Sequence, residues 1–138
     1  MVIDADIFDQ RTVDHLDLID VFIASQIFYE EMFQEGSICE NCRKICGMGP
    51  EIAIITLGDK GCAGIFRGEY IQAPSFDSIQ VVDTTGAGDV FHGAFIYGLL
   101  QNWSGTVIAR FANAVAAIKC TRLGGARGFP IWKPWKNI

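Results

Sequence analysis

Two short apolar runs, Val21-Phe22-Ile23-Ala24 and Ile52-Ala53-Ile54-Ile55-Thr56, constrain the fold more than any other feature. Strands with no polar alternation are buried on both faces, as in a largely parallel sheet covered by helices on each side. The segments between them fit that scheme. Val13, Leu16 and Ile19 recur at helical spacing, predicting a helix over Thr12–Asp20. A helical stretch is expected from about Ile27 to Gln34, and a helix capped by Ser37 runs to about Cys46, closed by Gly47 and Gly49. Val2–Ala5 reads as a further buried strand. It starts directly after Met1, as it would in a chain whose first residue falls inside a larger domain. Cys62–Phe66 and Tyr70–Ala73, joined through Arg67-Gly68-Glu69, predict a hairpin, and Ile79–Val82 a last strand. Two long helices follow, from near Ala87 to Leu100 and over Thr106–Thr121, stopped by Gly124 and Gly125. The tail with Pro130, Trp132, Pro134 and Trp135 reads as irregular. The expected class is α/β, a layered fold with a mainly parallel central sheet.

Composition narrows the function. The 138 residues suffice for one core, and half of them are apolar. The net charge is -5 and no run of Lys or Arg exists, which argues against nucleic acid or an anionic membrane as partner. No apolar stretch is long enough to span a bilayer. The start carries no secretory signal, and five cysteines are most simply free thiols in a reducing cytoplasm.

The chemistry is concentrated in Val81-Val82-Asp83-Thr84-Thr85-Gly86-Ala87-Gly88-Asp89-Val90-Phe91-His92-Gly93-Ala94-Phe95. A β-branched segment enters a glycine-rich turn and a helix leaves it. The first amides of a helix lack intrahelical acceptors and sit at its positive end, and small residues let an anion approach them. Gly86, Ala87 and Gly88 therefore make an expected phosphate cradle. Asp89 at its mouth is placed to accept a proton from an incoming hydroxyl. Taken alone, Gly-x-Gly-Asp reads more simply as a helix start capped by glycine and Asp.

The longer pattern, Asp-Thr-Thr-Gly-Ala-Gly-Asp-x-Phe-x-Gly-Ala-Phe, closely resembles the second signature of the ribokinase (PfkB) family of carbohydrate kinases. The resemblance extends from the Val2 strand to about Pro130 and is weakest between Phe28 and Gly49. It implies a ribokinase-like fold and ATP-dependent phosphorylation of a sugar hydroxyl. Asp89 would be the catalytic base, and Gly86, Ala87 and Gly88 the anion hole. The segment Ile55–Gly61 resembles the family's nucleotide-contacting turn, with Thr56, Gly58 and Gly61 as cofactor-binding positions. An ordinary strand-to-hairpin turn fits those residues as well. Phe111–Ala117 resembles the helix that walls the adenine pocket, with Asn113 beside the base, although small residues on a helix also serve close packing. Many members bind a monovalent cation such as K⁺ beside the anion hole. Here that site would use Asp83 and Thr85, with backbone oxygens from Lys119–Gly124, and Gly128 stands where the family often has a polar side chain.

Two departures matter. The family's Asn-x-x-Glu pattern, which organises Mg²⁺ and water, is not in place in Ser25-Gln26-Ile27-Phe28-Tyr29-Glu30, so ATP and Mg²⁺ are expected cofactors without a named metal ligand. Family members are also about twice this long, which makes residues 1–138 the expected carboxy-terminal portion of a kinase domain. Most sugar contacts and the lid would then lie elsewhere. The sheet would end in an exposed edge, an association hazard that makes a homodimer a partner to test for. Competing readings are a nucleoside or vitamin kinase of the same superfamily, and a truncated, non-catalytic nucleotide-binding remnant. Cys39, Cys42 and Cys46 could bind zinc, but their spacing fits one packed helix face better. His92 faces either the active site or solvent; His15 suggests nothing. Trp103, Trp132 and Trp135 are expected to anchor the tail.

Overall fold

In the computed structural model, which describes residues 1–76 and 78–124, five strands form one sheet in the order β1-β2-β3-β4-β5. They are β1 (Val2–Ala5), β2 (Val21–Ser25), β3 (Ile52–Thr56), β4 (Cys62–Phe66) and β5 (Glu69–Ala73). β1, β2 and β3 run parallel, and β4 and β5 add an antiparallel hairpin. Arg67 (φ 48°) and Gly68 (φ 88°) make its two-residue turn, where both residues must take positive φ.

The helices α1 (Gln10–Asp14), α2 (Gln26–Met32) and α3 (Ile38–Gly47) cover one face, and α4 (Ala87–Leu100) and α5 (Gly105–Cys120) the other. Strand alternation divides the core accordingly. Phe22, Ala24, Ala53 and Ile55 face Phe28, Cys42 and Ile45, while Val21, Ile23, Ile52 and Ile54 face Phe91, Phe95, Ile108 and Ala112. Each apolar run thus serves two cores, which is why neither carries a polar residue before the closing Thr56. Among the described residues no helix is long and apolar enough to cross a membrane.

Local signals placed most boundaries. Ser37 and Glu40 form a reciprocal capping box at the start of α3. Ser25 caps α2 by accepting from the Phe28 amide at 3.1 Å. Three expectations need correction. The helix predicted over Thr12–Asp20 starts earlier, capped by Asp9, and ends at Asp14, with a separate 3-10 turn at Leu16–Leu18. β1 is an edge strand with only Ala5 buried, since it pairs on one side alone. The strand predicted at Ile79–Val82 does not form. Its Val82 and Asp83 amides bond instead to the Cys120 carbonyl at the end of α5, at 2.8 and 3.1 Å. Trp103 packs edge-on against Tyr97 and Phe111, bracing the α4–α5 connection. The irregular tail, Trp132, Trp135, Gly125 and Gly128 lie outside the described residues.

Candidate active site

The tether of residues 82 and 83 to α5 sets the geometry of the turn that follows. Asp83 closes it by accepting the Thr85 amide on Oδ1 at 2.9 Å and the Gly124 amide on Oδ2 at 2.8 Å. The Thr85 hydrogen bonds, then that from Gly124, hold the Asp83 carboxyl down at about 2. Lys119, fully buried, donates from Nζ to the Asp83 carbonyl at 3.3 Å.

Gly86 follows as the N-cap of α4 at φ 77° and ψ 8°, a left-handed conformation that favours glycine. The Ala87 amide donates back to the Thr84 carbonyl at 3.0 Å, so it is not available to an anion in this arrangement. Among the described residues the amides of Gly86, Gly88 and Asp89 have no protein acceptor. These three, rather than Gly86, Ala87 and Gly88, are the open donors. A Cβ at Gly88 would meet nothing within 4 Å, so neither packing nor backbone conformation asks for glycine there. Its lack of a side chain leaves the approach to the helix end clear. Asp89 is exposed on the first turn of α4.

Behind Asp89 lies a group that sequence spacing did not reveal. His92, one turn along α4, turns toward the end of β1, and its Nδ1 stands 3.7 Å from Asp4 Oδ2. That nitrogen is buried with no hydrogen-bond partner among the described residues. Burial raises the Asp4 pKa; the His92 charge opposes this, and the Asp89 and Asp6 charges add to it. Asp4 and Asp89 are 85 residues apart by number, and only the fold makes them neighbours.

A cavity of about 460 Å³ opens on the other side of the turn, lined by Gly58, Thr84, Ala87 and Asn113 together with Ile79, Val81, Ala116 and Ala117. It gathers the turn after β3, the loop after β5 and one face of α5 at the carboxyl end of β3, where ligands collect in open α/β sheets. Val81, 58% exposed, is a cavity wall rather than a strand residue.

The predicted nucleotide residues divide. Gly58, at φ 60° with open space around it, lines the cavity. Thr56 does not; its hydroxyl donates to the Ala24 carbonyl at 3.3 Å. Gly61 (φ 89°) lies against the Ala73 carbonyl, where a Cβ would sit 2.1 Å away, so it serves the turn. Asn113 lines the cavity, but its Nδ2 donates to the Ala73 and Pro74 carbonyls, both at 3.0 Å. It fastens the loop after β5 to α5 rather than presenting a free amide to a base.

Among the described residues no group of three or more His, Cys, Asp and Glu side chains could hold a metal ion. Cys42 is buried, and burial first of all pushes its thiol up to about 12; Cys39 and Cys46 flank it on the same packed face. Glu30 accepts from the Gln26 side chain at 2.6 Å on the helix surface, so it does not replace the missing Asn-x-x-Glu pattern. At the turn where a monovalent cation was expected, both Asp83 carboxylate oxygens accept amides and the Lys119 ammonium donates to the Asp83 carbonyl.

Comparison with known proteins places this geometry. A sequence profile described as pfkB family carbohydrate kinase matches residues 4–132. Over 113 residues the chain is 38% identical to an uncharacterized sugar kinase of Archaeoglobus fulgidus, covering 80% of this chain and 43% of that protein. Over 119 residues it is 32% identical to the ribokinase of Lactococcus lactis, covering 86% and 38% respectively. The structure of Arabidopsis thaliana ribokinase complexed with ribose and ATP superposes with a TM-score of 0.79 at 27% identity, over 94% of this chain and 45% of the other. The ribokinase of Thermotoga maritima gives 0.75 at 27% identity, over 94% and 46%. The chain thus spans only 38% to 43% of these two curated relatives.

Proposed function

Because the chain belongs to the pfkB family of carbohydrate kinases, we propose that residues 1–138 are the carboxy-terminal portion of a kinase domain that transfers a phosphoryl group from ATP to a hydroxyl of a sugar or sugar derivative. The observation that carries this reading is one juxtaposition. Unpaired amides at the start of α4 and the exposed Asp89 carboxylate stand beside the cavity that Ala87 and Thr84 line.

In this reading the cavity takes the nucleotide base between apolar walls from Ile79, Val81, Ala116 and Ala117. The phosphates then extend toward Gly86 and Gly88. Phosphoryl transfer places charge on the equatorial oxygens of the migrating group, and preorganised amides at a helix start stabilise that charge without reorganising. Asp89 accepts the proton of the attacking hydroxyl. Proton abstraction by a positioned base contributes roughly 10²–10⁴ in rate. Mg²⁺ would arrive with the nucleotide, held mainly by its phosphates.

Calorimetric titration of an ATP analogue into the chain tests the nucleotide site; no heat at millimolar analogue refutes it. A coupled ADP-release assay with a panel of sugars tests the remainder. The isolated chain is expected to turn over no sugar at a useful rate, since water exclusion needs a lid that the proposed site does not contain. The alternative reading is a nucleotide-binding domain without transfer activity. A fusion to the portion of ribokinase that this chain does not span separates the two: the kinase reading expects sugar-dependent ADP release, the alternative none.

A further inference from the structure

Lys119 is the most unusual charged residue of the fold. It is fully buried near the end of α5 and forms no salt bridge among the described residues. Burying an ammonium is costly unless something answers its charge. Here its Nζ donates to the Asp83 carbonyl at 3.3 Å, beside the Asp83 carboxylate, at the turn that leads into the open amides of α4.

Several oxygens of this turn already accept protein donors. Asp83 Oδ1 and Oδ2 accept the Thr85 and Gly124 amides. The Cys120 carbonyl accepts from the Val82 and Asp83 amides, and the Lys119 carbonyl from the Arg122 amide at 3.2 Å. The Ile118 carbonyl accepts both the amide and the hydroxyl of Thr121, at 3.2 and 2.7 Å. A second positive charge entering this turn would be repelled by the ammonium and would have to share these oxygens with their donors. An ammonium group and K⁺ carry the same charge and have similar radii. We propose that the Lys119 ammonium is the resident cation of the Asp83 turn, holding the phosphate end of the site in place so that nucleotide binding needs no K⁺. Lys119 acts through the turn and is a positioning residue.

The nucleotide half of this proposal rests on the kinase reading above; the cation half does not. The test compares the full chain in potassium chloride and in tetramethylammonium chloride at equal ionic strength. The wild-type thermal midpoint is expected to agree within about 1 °C between the salts, and ATP-analogue affinity within about twofold. Lys119→Met, of similar length without the charge, is expected to gain at least roughly 5 °C from K⁺, the shift of a site filled well above its dissociation constant. A wild-type midpoint raised by that amount in K⁺ overturns the proposal, and so does a folded Lys119→Met that ignores K⁺. The wild-type comparison decides alone should the variant not fold. Loss of analogue binding in both salts would count against the kinase reading, and the midpoints would still report on the cation.

Discussion

Asn113 offers the sharpest test of how the cavity is held open. Its side chain is 7% exposed, and both Nδ2 protons are engaged, by the carbonyls of Ala73 and Pro74 at 3.0 Å each. Asn113→Ala leaves those two acceptors without donors. Ala73 is fully buried, so its carbonyl bears a desolvation penalty of about 1–3 kcal/mol. Pro74 is exposed and its carbonyl regains water, which limits its share to about 1 kcal/mol. The expected loss is therefore about 2–4 kcal/mol. In urea, with a slope of about 1.5 kcal/mol/M, the midpoint falls by roughly 1.3–2.7 M while the slope holds. Asn113→Asp sharpens the reasoning, since it keeps the shape and replaces the two donors by an acceptor facing two carbonyls. Burial raises the pKa of the new carboxyl in the folded state, so the folded state binds protons more tightly than the unfolded one. Stability of that variant then falls as pH rises above about 4. A loss below about 0.5 kcal/mol for Asn113→Ala, or an Asp variant as stable as the Ala variant at pH 7, refutes the strap.

Three further predictions follow from the same contacts. The Asp83 carboxyl is depressed to about 2 from 3.8, so its stabilising contribution is present above the unfolded value and is lost as pH falls from about 4 toward 2; Asp83→Ala should flatten that part of an acid-unfolding curve. Gly98→Val should cost about 1–3 kcal/mol, because even a Cβ there would lie 2.8 Å from Ile108 Cγ1, whereas Gly93→Ala, where a Cβ meets nothing, should be neutral or stabilising by up to about 1 kcal/mol; thermal unfolding of both separates close helix packing from mere helix propensity. In the ribokinase fusion, Asp89→Asn should leave analogue affinity within about threefold and lower phosphoryl transfer by roughly 10²–10⁴, while equal activity would remove Asp89 from the role of base.

What could be read from the chain depended on whether the partner was local. Val21–Ala24 and Ile52–Ile55 declared themselves because burial on both faces leaves no polar position, and Ser37 announced α3 as its cap. The hairpin was legible from Arg67 and Gly68 because positive φ is a local demand. Val81 and Val82 misled for the complementary reason. β-branched residues suit a strand, but whether one forms depends on an unpaired neighbour, and the nearest acceptor for the Val82 amide was Cys120. The sequence motif likewise located the start of α4 without revealing that the Ala87 amide folds back onto Thr84.

The same distinction separates the parts of the site. Asp89 and the open amides of Gly86 and Gly88 come from one turn, so a motif can encode them. The groups that set their surroundings come from elsewhere: Asp4 from the edge strand through His92, and Lys119 from the end of α5 through the Asp83 carbonyl. A lysine near a helix end is ordinarily a solvated residue favoured by the dipole, and nothing in Ile118-Lys119-Cys120 distinguishes it from one. Its burial goes with a tertiary contact: the loop of residues 82 and 83 is pinned to the Cys120 carbonyl, and the Asp83 carbonyl accepts from the ammonium. Loop and lysine thus depend on each other: the loop supplies the Asp83 carbonyl that the ammonium donates to, and the ammonium gives the Asp83 turn the positive charge that its carbonyl and carboxylate would otherwise draw from solution. That mutual dependence is why the cation requirement of the site has to be read from the fold, and why replacing one buried ammonium should expose it.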